Sequence, residues 1–152
     1  MSAEEHSKPI RLARAVLMAA VDNNWPKAQR AFERLADECD EEGLGEAVLA
    51  WCSTVVAHVC GGTWDGKPIR VVPMTIETGA LGGDLPPEKQ WAMDLIQARC
   101  AAGPDEFRRL LEVHNAIEDG FERGRWASAL VEICAHTIRS VPSGIAQLGR
   151  PS

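Results

Sequence analysis

Hydrophobic positions recur along this chain at helical spacing. Leu44, Ala47, Val48, Trp51, Cys52, Val55, Val56 and Val59 follow steps of three and four, with single steps inside the pairs. That is one wide apolar face of an α-helix. Gly61-Gly62 should end it, because glycine carries no steric penalty in a left-handed cap. Trp126, Leu130, Ile133, Cys134, Thr137, Ile138 and Val141 repeat the pattern. This second helix must stop before Pro142, which disfavours helical geometry in the residue preceding it.

Four further helices are expected. Pro9 leads into one through Leu12, Ala13, Val16, Leu17 and Ala20, fading at Asp22-Asn23-Asn24. Pro26 opens a second, with Ala28, Ala31, Phe32, Leu35 and Cys39 inward. Proline suits a first helical turn, where its missing N–H has no partner to lose. Pro87 precedes a third, carrying Trp91, Leu95, Ile96 and Ala98 and broken by Gly103. Pro104 opens a fourth with Phe107, Leu110, Leu111 and His114, ending near Gly120.

The two sets of three align. A shift of 78 lays Leu17 on Leu95, Ala20 on Ala98, Pro26 on Pro104 and Phe32 on Leu110. A shift of 82 lays Ala47 on Ala129, Val48 on Leu130, Cys52 on Cys134 and Val56 on Ile138. Self-similarity of this kind suggests a structural repeat. Residues 61–86 differ from both sets, holding six of the 13 glycines and three of the nine prolines. Asp65-Gly66 is a hairpin signal. Pro68 and Pro73 bracket Ile69, Val71 and Val72, so a short edge hairpin is the most that segment can form.

The expected fold is therefore all-α, in a single domain over residues 1–152. It has about six helices in two similar three-helix halves, at about 9–60 and about 87–141. A long Gly/Pro-rich loop at 61–86 joins the halves, and 142–152 is a loose tail. The stretch at 25–35, Trp-Pro-Lys-Ala-Gln-Arg-Ala-Phe-Glu-Arg-Leu, resembles the helix-turn-helix junction of a tetratricopeptide repeat. The likeness covers about a tenth of the chain, and a spacing near 80 does not fit that family's period of about 34 residues. We read the stretch as two antiparallel amphipathic helices.

Composition narrows the function classes. With 152 residues, 45% hydrophobic and 25% charged, the chain can bury a core without disulfides or metals. The net charge of -6 and the absence of a Lys/Arg cluster argue against general nucleic-acid binding. Five widely spaced cysteines without a CxxC do not form a disulfide framework and suit a reducing cytoplasm. Residues 1–9 are polar and acidic, without the apolar stretch of a signal peptide. No run of about 18 apolar residues is present, so no membrane span is expected.

Candidate chemistry is sparse. His58/Cys60 and Cys134/His136 are each two residues apart, about 200° around a helix, and cannot chelate from one face. No GxSxG elbow or other nucleophile signature occurs, so no catalytic residue is assigned. Gly79-Ala-Leu-Gly-Gly-Asp lacks the Lys-Ser/Thr ending of a phosphate loop. Asp37, Glu38, Asp40, Glu41 and Glu42 fail the calcium-loop pattern, which needs glycine sixth and glutamate twelfth. The run reads as a solvated helix end or a site for a basic partner, with Asp40, Glu41 and Glu42 as candidate binding residues. Trp64 and Asp65 in the loop are the others, an aromatic beside a turn being a common interface anchor. The function read from the sequence is a helical protein-interaction module, adaptor or regulatory, that binds another protein or itself without cofactor, metal or catalysis. The alternative is a small enzyme or small-molecule binder with its site between the halves, under the 61–86 loop.

Overall fold

A computed structural model describes residues 8–62, 86–101 and 103–140. The described residues form six helices and no strand: α1 (Lys8–Val21), α2 (Trp25–Glu38), α3 (Glu41–Val59), α4 (Pro87–Cys100), α5 (Pro104–Asn115) and α6 (Gly120–Ser140). The all-α expectation is met. None of these helices is long and apolar enough to cross a membrane. The anticipated hairpin at 61–86 and the tail at 142–152 lie almost wholly outside the described residues. By packing, the chain divides into two compact units, Met1–Trp51 and Cys52–Ser152, with the division inside α3.

In the first unit α1 and α2 form an antiparallel hairpin. Asn23 takes the left-handed conformation at φ 62, and the Asn24 amide reaches back to the Ala19 carbonyl at 2.8 Å. These contacts close α1 with a left-handed cap. Asn24 then caps α2 by accepting from the Lys27 amide at 3.3 Å, and Pro26 occupies the first turn. At the open end of the hairpin Lys8 pairs with Glu38 at 2.8 Å. Hydrogen bonds from Arg34 and Lys8 hold the Glu38 carboxyl down at about 2. The α1 face that closes the hairpin is small-grained, with Ala13, Val16, Leu17 and Ala20 buried.

Trp51 locks the unit. It is 1% exposed, its indole N–H donates to the Ala13 carbonyl at 2.8 Å, and its ring stacks on Phe32 at 6.1 Å. One side chain of α3 thus touches both α1 and α2. The start of α3 is equally constrained. A Cβ on Gly43 would lie 2.9 Å from both Cys39 Cβ and Pro9 Cγ, so the close approach needs glycine there.

The second unit contains the rest of α3 with α4, α5 and α6. Gly61 and Gly62 end α3 at φ 90 and 118, the left-handed glycine cap the sequence implies. The Gly62 amide bonds the Ala57 carbonyl at 2.8 Å. The α5–α6 junction differs from expectation. Gly120 is not where α5 ends but where α6 begins, and α5 ends at Asn115. Asp119 decides this: its side chain accepts from the Phe121 amide at 3.0 Å, and its carbonyl takes the Arg123 amide at 2.9 Å. It is the N-cap of α6.

Candidate functional site

The acidic run identified in the sequence resolves into two helix ends. Asp37 and Glu38 close α2, whereas Asp40 precedes α3 and accepts from the Gly43 amide at 2.9 Å. Asp40 is therefore the N-cap, Glu41 is the first residue of α3, and exposed Glu42 follows in the first turn, where the helix dipole favours its negative charge. Capping accounts for Asp40 without a ligand. Asp40→Ala should cost about 1 kcal/mol, read as a shift in the urea midpoint. Trp64 and Asp65 lie outside the described residues.

Four of the five cysteines, Cys52, Cys60, Cys100 and Cys134, are buried in the second unit, and all five are free thiols. Burial pushes the Cys52 and Cys134 thiols well up and Cys100 to about 11. Thiolate is the reactive form, so these three sulfurs behave as small hydrophobes. Among the described residues no group of three or more His, Cys, Asp or Glu could hold a metal. Alkylation of the native protein at neutral pH should leave these three unlabelled over minutes. Unfolding without reductant should release five labels by mass spectrometry. Two fewer would mean a disulfide.

A buried polar centre that sequence reasoning did not assemble sits behind the α5–α6 corner. Trp91 of α4 is 4% exposed and donates its indole N–H to the Leu110 carbonyl of α5 at 2.9 Å. His114 of α5, 1% exposed, stacks on Trp91 at 4.9 Å. Half-buried Trp126 of α6 is tilted against Trp91, with ring centroids 5.7 Å apart. His114 Nε2 lies 3.0 Å from the Arg123 carbonyl of α6. A carbonyl only accepts, so Nε2 carries a proton and donates in this bond. This bond ties the last turn of α5 to the first turn of α6. A second tie runs from Arg125 of α6 to Glu88 of α4 at 2.9 Å, with Glu122 holding the same guanidinium at 2.6 Å. His114 was legible only as a member of the apolar face with Phe107 and Leu110. Its stacking partner is on another helix.

Burial pushes His114 below its ordinary 6.5, against the upward pull of the Arg123 carbonyl. The unfolded chain then binds more protons than the folded one below that value. Stability should be fully present above pH 6.5 and fall as pH drops from 6.5 through the lower folded value. His114→Gln keeps a donor for Arg123 but does not titrate. Urea midpoints from about pH 8 to 5 should fall less steeply for this variant than for the native chain. Equal slopes would remove His114 from the account.

What the corner displays is the opposite of what it buries. Phe121, in the first turn of α6, is 80% exposed, and Val113, in the last turn of α5, is 42% exposed. Half-buried Ile117 lies in the connection between them. Acidic Glu112, Glu118 and Asp119 are exposed at the same corner. Sequence periodicity passes over Phe121 because it belongs to no buried stripe. Its only sequence signal is a large aromatic set between Gly120 and Glu122. Compared with protein-family models, with curated proteins and with solved structures, the chain matches none of them.

Proposed function

We propose that this protein is a helical interaction module, adaptor or regulatory in role, that docks another protein through the α5–α6 corner. The exposure of Phe121 carries this reading. A phenylalanine 80% in water, on a corner fixed by the His114–Arg123 bond and the Asp119 cap, contributes little to its own fold. Large aromatics on rigid supports are the side chains that anchor interfaces, because burying them gains much area for little lost freedom. Trp64 and Asp65, read from the sequence as an aromatic beside a turn, are a second candidate contact for the same partner.

Paired affinity capture from a source-cell extract tests the proposal. Native chain and Phe121→Ser serve as baits, each first shown to have the same helix content and melting temperature. A protein retained by the native bait and lost by the variant is the expected result. Identical capture by the two baits contradicts it.

We also propose that the two helical triplets are a structural repeat. Their helices run 14, 14 and 19 residues in the first and 14, 12 and 21 in the second. The middle helix of each has proline in its first turn, and an aspartate, Asp40 or Asp119, caps the long third helix of each. The tryptophans that lock the triplets are not equivalent, Trp51 being on a third helix and Trp91 on a first.

A further inference from the structure

We draw no further inference here: the strongest candidate, the exposed Phe121 in the first turn of α6, belongs to the corner already described, and nothing in the structure shows what covers it.

Discussion

Trp51→Ala is expected to leave the first unit without a stable tertiary structure. The indole fills the space between α1 and α2 from α3, bonded to Ala13 and stacked on Phe32, and is 1% exposed. Its removal takes away the burial of a large ring and leaves a cavity that a small-grained α1 face cannot collapse into. Such truncations cost about 3–5 kcal/mol, against the ~5–15 kcal/mol that holds a domain folded. Trp51→Phe keeps most of the volume and loses the bond to Ala13, so it should be milder, at about 1–2 kcal/mol. Thermal melts followed by circular dichroism would order native, Phe and Ala variants in that sequence. An alanine variant that melts with the native chain would show that the three first-unit helices are held by something else.

Trp91→Ala should have the next largest effect, and a different signature. The ring packs against both His114 and Trp126, and its N–H donates to the Leu110 carbonyl. Truncation removes a buried aromatic, again worth about 3–5 kcal/mol, and opens His114 to water. The stability loss should be accompanied by a His114 that titrates closer to 6.5, because burial is the main cause of its depression. Histidine ring resonances followed by NMR against pH would read this directly in whatever fraction remains folded. A large stability loss with His114 still depressed would mean that α5 and α6, not Trp91, keep the ring dry.

Which of these features were legible follows from how each is encoded. The apolar faces of α3 and α6 and the Gly61-Gly62 cap are local, written at fixed spacings in one stretch, and the helices form where the spacing implies. The end of α5 was misplaced because glycine signals a stop only when the residues before it are helical. Here Asp119 captures the Phe121 amide and turns Gly120 into a start. The Trp91–His114–Trp126 cluster joins residues on three helices, and its stacking depends on tertiary packing that no periodicity carries. Phe121 escaped because patterning finds what is buried, and this side chain is 80% exposed.

Amide hydrogen exchange of the chain, alone and bound to the partner captured by the native bait, tests the docking claim most directly. The account predicts that slowing on binding centres on the last turn of α5, the connection at 116–119 and the first turn of α6. Slowing confined to the α1–α2 hairpin, with the corner unchanged, would contradict it.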